Sequence, residues 1–356
     1  PILFQGQLKD INGITKSLIL IQRTEKQFFH LLFKIMNYKN LIHLSFILLM
    51  SCEDNNDVVL ENCSTDYTTS NILTNIDEEI FNNDESVQSY SIFSWTEDDD
   101  YRILRGNGIP NHEVGSFPNN NNPNTISAQN INETFTLCPE VVSNNGVNIN
   151  GPAQIIAYAI NSVKFDPATA GRCNDSGVCR LAQGQGNWNI EALGHDTFDF
   201  GDDMNHAHVQ PNGQYHYHGI PELLVDFLGD NQGMTLVGWA ADGFPVYAKY
   251  GFSNSFDINS AVVALQSSYQ LKSEGDPGRP NILTALVGGP GQGTSNPNIP
   301  IPMGAFTQDY EYVEGSGDLD ECNGRFGVTP EFPNGIYYYV VTDQFPFVSR
   351  CLKGNF

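Results

Sequence analysis

The sequence predicts a mainly β protein: a single sandwich or distorted, barrel-like domain with long loops and few short helices. Three observations carry this reading. Thirty-three glycines and 19 prolines interrupt the 356 residues, so turn signals recur at short intervals. Between them lie short apolar or alternating runs rich in branched and aromatic residues, the pattern of pleated, half-buried strands. Finally, 15 Tyr, 22 Phe and 3 Trp supply the bulky side chains of a β core.

The chain divides into four stretches. Residues 1–35 lack an initiating methionine and read as upstream or vector-derived sequence, outside the native protein. Met36 starts a signal peptide over 36–51: a short basic segment with Lys39, then ten largely apolar residues from Leu41 to Met50, too few to span a bilayer. Leu49-Met50-Ser51-Cys52 resembles a bacterial lipobox, which implies cleavage before Cys52 and lipidation of its sulfur; an ordinary secretory signal cut nearby is the alternative. Glu53-Asp54 resembles the acidic export signal of surface lipoproteins. The expected location is therefore extracytoplasmic and lipid-anchored, on the outer membrane or surface of a bacterium. Residues 52–90 are polar and acidic and read as a flexible tether. Residues 91–356 form the β domain.

Within that domain, strands are expected in the runs 153–163, 235–240, 244–250, 336–342 and 345–348. Residues 221–228 and 259–267 read as short helices. The asparagine run 119–123 and the Gly/Pro-rich stretch 288–302 read as long loops.

The formal charge is −24. Removing the first 51 residues takes away six Lys/Arg and two Asp/Glu and brings it to −28. Such a balance argues against nucleic-acid partners and against attraction to anionic membrane surfaces. It leaves membrane attachment to the lipid alone, and admits cations, small molecules or glycans as ligands. Six cysteines follow Cys52: Cys63, Cys138, Cys173, Cys179, Cys322 and Cys351. An even number in an oxidising compartment reads as up to three disulfides. Cys173 and Cys179 enclose a turn-rich loop and form the local pair; Cys322 with Cys351, leaving Cys63 with Cys138, is a plausible completion among the fifteen connectivities that six cysteines allow. None has CxxC spacing, so a cysteine-based zinc or redox site is not expected.

The chemistry lies in two His-x-His pairs, His206-Ala207-His208 and Tyr215-His216-Tyr217-His218, joined through Pro211-Asn212-Gly213. Alternate strand residues share a face, so each pair presents two imidazoles together. Register decides whether the pairs meet. A three-residue loop with a bulge sets His208 opposite His216 and His206 opposite His218, four rings on one face; a two-residue Asn-Gly turn separates the pairs. His195 and His112 are further candidate ligands. Neutral imidazoles in a chain whose cysteines are expected to pair as disulfides favour Zn or Cu(II). Asp196, Asp199, Asp202 and Asp203 are candidate metal-binding oxygens or acceptors that orient imidazole N–H groups, and Asp196 and Asp242 are candidate general bases. Asp318, Asp320 and Asn323 partly match a calcium loop without its closing glutamate, and read first as an Asx-held turn. No Gly-x-Ser-x-Gly elbow, P-loop or dinucleotide fingerprint occurs.

Together with Gly108-Ile109-Pro110-Asn111-His112, Ala241-Asp242-Gly243-Phe244-Pro245 and Asp320-Glu321-Cys322-Asn323-Gly324, these motifs resemble the YHYH-domain proteins over roughly residues 100–350. The resemblance implies no particular activity. The functional expectation is a surface or periplasmic lipoprotein holding a transition-metal ion in the histidine hairpin, as a metal-dependent hydrolase or oxidoreductase. The alternative is a carbohydrate- or partner-binding lipoprotein with structural histidines. Pro333-Asn334-Gly335-Ile336-Tyr337-Tyr338-Tyr339 repeats the Pro-Asn-Gly-x-Tyr-x-Tyr pattern of 211–217 without histidines. The strand can therefore be made without them.

Overall fold

A computed structural model describes residues 76–142, 147–148, 155–229, 232–288 and 293–354. The leader, Cys52, Cys63 and most of the expected tether lie outside the described residues. Strand structure already begins inside the stretch read as tether. Strands β1 (Ile76–Asn82), β2 (Ser89–Glu97), β3 (Tyr101–Gly106) and β4 (Ile131–Thr136) form an antiparallel meander.

The second sheet has eight strands. It uses β5 (Ala157–Ala159) and β6 (Lys164–Phe165) and leaves out the small hairpin β7 (Arg172–Cys173) and β8 (Val178–Arg180). It continues with β9 (Ala207–Val209), β10 (Tyr215–Tyr217), β11 (Leu236–Ala240), β12 (Pro245–Tyr247), β13 (Gly324–Gly327) and β14 (Ile336–Val340). The spatial order is β9-β10-β6-β5-β11-β12-β14-β13. The single α-helix among the described residues, α1 (Glu222–Leu228), lies within the span expected for one. Residues 259–267 are not helical: Val262–Ala264 pair with Tyr250–Phe252, because consecutive β-branched valines favour the extended backbone. Residues 345–348, expected as a strand, form turns.

The eight-stranded order reads the same from both ends. Each half is an antiparallel hairpin (β5–β6 or β11–β12) with a second hairpin (β9–β10 or β13–β14) laid parallel beside it. The halves meet where β5 and β11 run antiparallel with Tyr158 opposite Trp239. Local details repeat as well. Ser162 and Gly243 occupy the same left-handed turn position, at φ 66° and 89°, and donate to Ala159 and Ala240 carbonyls at 2.9 and 2.8 Å. Asn161 Nδ2 donates to the Tyr217 hydroxyl at 2.9 Å, and in the other half the Tyr339 hydroxyl donates to Asp242 at 2.6 Å. The Tyr215 hydroxyl donates to Asp203 and that of Tyr337 to Asp320, at 2.6 and 3.0 Å. The short echo in the sequence is thus the visible remnant of a four-strand unit present twice about a local two-fold axis.

The meander covers one face of the larger sheet, giving a sandwich-like arrangement with no closed barrel among the described residues. Trp95 donates its indole N–H to the Ile160 carbonyl at 2.7 Å, and the buried Arg102 guanidinium lies 3.3 Å from the centre of the Trp239 ring. The opposite face buries Tyr215, Tyr217, Tyr337 and Tyr339.

Two disulfides join the expected partners, Cys173–Cys179 and Cys322–Cys351. Cys138 is also disulfide-bonded, to a partner outside the described residues. The sequence separations are 6 and 29 residues. Loop-closure entropy therefore predicts a loss of about 3.5 kcal/mol for Cys322→Ala/Cys351→Ala, against about 2.5 for Cys173→Ala/Cys179→Ala. Guanidinium unfolding of both double variants tests that order.

Candidate metal centre

The site starts from a turn. Gly213 N–H donates to the Gln210 carbonyl at 2.8 Å and Gln210 N–H to the Gln214 carbonyl at 2.9 Å. This is the three-residue loop with a bulge, and Gly213 takes the left-handed position at φ 85°. Its register sets His208 opposite His216 and Ala207 opposite Tyr217. Tyr215 and Tyr217 turn into the core and His208, His216 and His218 to the other face, as period-two alternation requires.

The three rings form a propeller. Their centroids are 4.6, 4.7 and 4.7 Å apart, and their planes meet at 71–76°. One ring nitrogen from each lies within 4.8 Å of the others. The outward nitrogens are held. His216 Nδ1 faces the Gln214 carbonyl at 3.2 Å, and His218 Nδ1 faces the Asp166 carbonyl at 3.0 Å. His208 Nδ1 lies 2.5 Å from Asp202 Oδ1, a contact bent away from the hydrogen-bond line. A carbonyl only accepts, so Nδ1 of His216 and of His218 carries the proton and their Nε2 a free lone pair. Nε2 of His208 lies 3.2 Å from Nε2 of His218. Metal–nitrogen bonds of about 2.0–2.1 Å in a tetrahedral site separate two ligand nitrogens by about 3.3–3.4 Å. The donor set and spacing fit a borderline transition-metal ion.

Electrostatics agree. Burial pushes the His216 pKa well below that of free imidazole, helped by repulsion from His208 and His218. Burial, then His208, lowers His218 to about 4. Both rings are neutral, ligand-competent bases at neutral pH. Burial works to raise the Asp202 pKa, but His208, His218 and His206 together outweigh it and hold the carboxyl below its usual range.

The triad opens onto a cleft of about 460 Å³ walled by Asn122, Thr169, Arg180, Phe200 and Gln210. Asp166 also faces it, fully buried, with Lys164 Nζ 3.2 Å from Oδ2 and Oδ1 without a partner. Asp202, beside His208 Nδ1, is one of the four nearby aspartates the sequence offered as partners of the imidazoles. Asp166 is the carboxylate that sequence reasoning missed; it lies 50 residues before His216, and nothing local marks it.

The other candidate residues sit elsewhere. His206 is not in the strand: it is a turn residue at φ 53°, its amide donating to the Asp203 carbonyl and its Nδ1 facing the Ile220 carbonyl at 2.9 Å. The alternation begins at Ala207, one residue after the expected start, so His206 never joins the face. His112 is buried and accepts the Tyr217 hydroxyl proton at Nε2, 2.6 Å away, while Nδ1 donates to the Glu113 carbonyl. It supports a motif tyrosine from behind. His195 faces the Glu191 carbonyl at 2.9 Å and packs edge-on against Phe198. Asp196 is exposed. Asp242 lies in the other half, buried under Tyr339 and the Gly354 amide. The two carboxylates of the expected calcium loop are engaged by the backbone: Asp318 accepts the Gln266 amide, and Asp320 accepts the Cys322 and Gly324 amides. The Lys353 ammonium stands 3.6 Å from Asp320, and Asn323 Nδ2 donates to the Val340 carbonyl. These residues hold a turn, as Asp203 does in the first half.

The profile of the YHYH protein family matches residues 134–354. The chain belongs to the YHYH protein family. No curated protein and no solved structure matches it. In this YHYH protein the namesake tyrosines and histidines divide their labour by face, hydroxyls into the core and imidazoles toward the cleft.

Two outcomes follow. At Gly213 a side chain would be strained, and its Cβ would sit 1.9 Å from Ser127 Oγ; Gly213→Ala is expected to cost about 1–3 kcal/mol in urea unfolding. The second concerns acid. The folded pKa values of His216 and His218 lie below the unfolded value of about 6.5, so the unfolded chain takes up protons first. Their contribution to stability is complete above about pH 6.5 and is lost as pH falls toward the His218 value of about 4. The urea midpoint of metal-free protein should drop across that window, and His218→Gln should flatten the drop. A midpoint constant from pH 7 to 4 would contradict the assignment.

Proposed function

We propose that this protein is an extracytoplasmic lipoprotein that binds one transition-metal ion, Zn(II) or Cu(II), through His208, His216 and His218, with a further coordination position facing the cleft. The observation that supports it most is the convergence of three buried imidazoles, with one ring nitrogen of each within 4.8 Å of the others. Nε2 of His208 and His218 stand 3.2 Å apart, close to the separation of two ligand nitrogens on one ion. The outward partners, two backbone carbonyls and a carboxylate, are those that metal-binding imidazoles typically have behind them.

Three protein ligands with an opening to solvent resemble catalytic rather than closed structural sites. An ion so held acts as a Lewis acid toward whatever enters from the cleft, which favours a hydrolytic reaction at a polar bond. Around it the chain's own groups have definite roles. Asp202 orients His208, the Asp166 carbonyl orients His218, and the Gln214 carbonyl orients His216. The Asp166 carboxylate, with one oxygen free and Lys164 and Gln210 holding the other, provides a fixed acceptor for a donor group of a ligand in the cleft.

Tag-free protein should take up one equivalent of Zn(II) or Cu(II), measured by mass spectrometry after dialysis. His208→Ala, His216→Ala and His218→Ala should each abolish stoichiometric binding, while His206→Ala, His195→Ala and His112→Ala should retain it. Asp202→Asn should weaken affinity by about 10–100-fold. Retention of a full equivalent by the triad variants would sink the proposal.

A further inference from the structure

Arg172 and Arg180 stand directly opposite one another on β7 and β8. Such pairs share a face with Cβ atoms about 5 Å apart, and like charges there repel. Both side chains are exposed. Neither has an ion-pair partner among the described residues, although seven other basic side chains do. In a chain of formal charge −24 carboxylates are abundant, yet none is supplied to this pair. The Cys173–Cys179 disulfide occupies the adjoining rung of the same ladder and holds the arginines in register. Gly184 passes so close that a Cβ would lie 2.4 Å from Arg172 N and 2.7 Å from the Arg180 carbonyl. That close approach lays the loop 181–184 along the hairpin and makes Arg180, Leu181, Ala182 and Gln183 one wall of the histidine cleft.

We infer that the ligand of this cleft carries an oxyanion, a carboxylate or phosphate, which docks on Arg180 while another part of the molecule reaches the histidine triad. The inference rests on the metal-centre reading for what happens at the far end of the ligand, but not for the anion site itself. A guanidinium offers a planar fork of donors matched to an oxyanion. Arg172 adds positive potential at the rim, and a cleft concentrates that field. The bound anion relieves the repulsion between the two arginines, which the fold alone leaves uncompensated.

The test is calorimetric titration of tag-free protein, Zn-loaded and metal-free, with inorganic phosphate and with succinate as the probes. At least one probe should bind, with Arg180→Gln weakening it about tenfold or more and Arg172→Gln about two- to threefold, metal content unchanged in both. Phosphate responding alone identifies a phosphoryl ligand, and succinate alone a carboxylate. Should the wild type take no metal but show Arg180-dependent binding, the metal reading fails and this inference stands. No binding of either probe up to about 20 mM, or equal affinity in wild type and Arg180→Gln, overturns it. Binding abolished by His208→Ala/His216→Ala but untouched by Arg180→Gln also overturns it, since the ion alone would then be holding the anion.

Discussion

The site depends on two buried hydroxyls. Tyr215 and Tyr217 are inaccessible to solvent, and a buried hydroxyl without a partner is costly. Asp203 satisfies the first, and His112 with Asn161 the second. Those bonds fix which face of β10 turns inward. Since successive strand residues alternate, the same bonds drive His216 and His218 to the opposite face, where the turn at Gly213 brings His208 to meet them. A one-residue slip would bury imidazoles in an aromatic core and expose tyrosines. The tyrosines of the motif thus act on the histidines through geometry, without touching the site.

What the strand assembles carries a cost within the fold. Three imidazoles are buried against one another, and burial holds His216 and His218 in their neutral form at neutral pH. Asp202 adds a carboxylate behind His208. Desolvated side chains that converge in this way, with carbonyls fixing two of the rings from behind, have the character of a preorganised site.

Much of this was legible in the chain, for reasons tied to range. The β class and the disulfide 173–179 come from local patterns: turn residues, spacing and alternation. The 322–351 pairing and the His208–His216 register were each one of the alternatives the sequence left open, and only the fold selects between them. His206 was misassigned because strand ends are weakly marked; a left-handed residue before the first ladder pair removes it from the face. Asp202 sits six residues before His208, but its role depends on the intervening turn. Asp166, Arg172 and Arg180 could not be read at all. Asp166 and Arg180 reach the cleft because β6 lies parallel to β10 and the disulfide hairpin sets Arg180 at its wall, with Arg172 opposite it on the ladder; parallel pairing leaves no local trace. His112 looked like a ligand because its chemistry suits one; only its Tyr217 contact shows otherwise.

The repeated half of the sheet is an internal control on function. Where the first half has His208, His216 and His218, the second has Arg325, Tyr338 and Val340 at the matching rungs. There the Arg325 guanidinium bonds the Tyr338 hydroxyl and the Phe252 carbonyl, both at 2.6 Å. Phe252, Leu265 and Tyr247 pack the rest of that face into core. The same backbone therefore folds with an arginine, an aromatic ring and an aliphatic side chain in place of three imidazoles. A cleft also adjoins the second half, lined by Asp318, Asp320, Arg325 and Lys353. The two halves thus differ in the chemistry they present and not in whether they leave a cleft: charged side chains in one, three convergent imidazoles in the other.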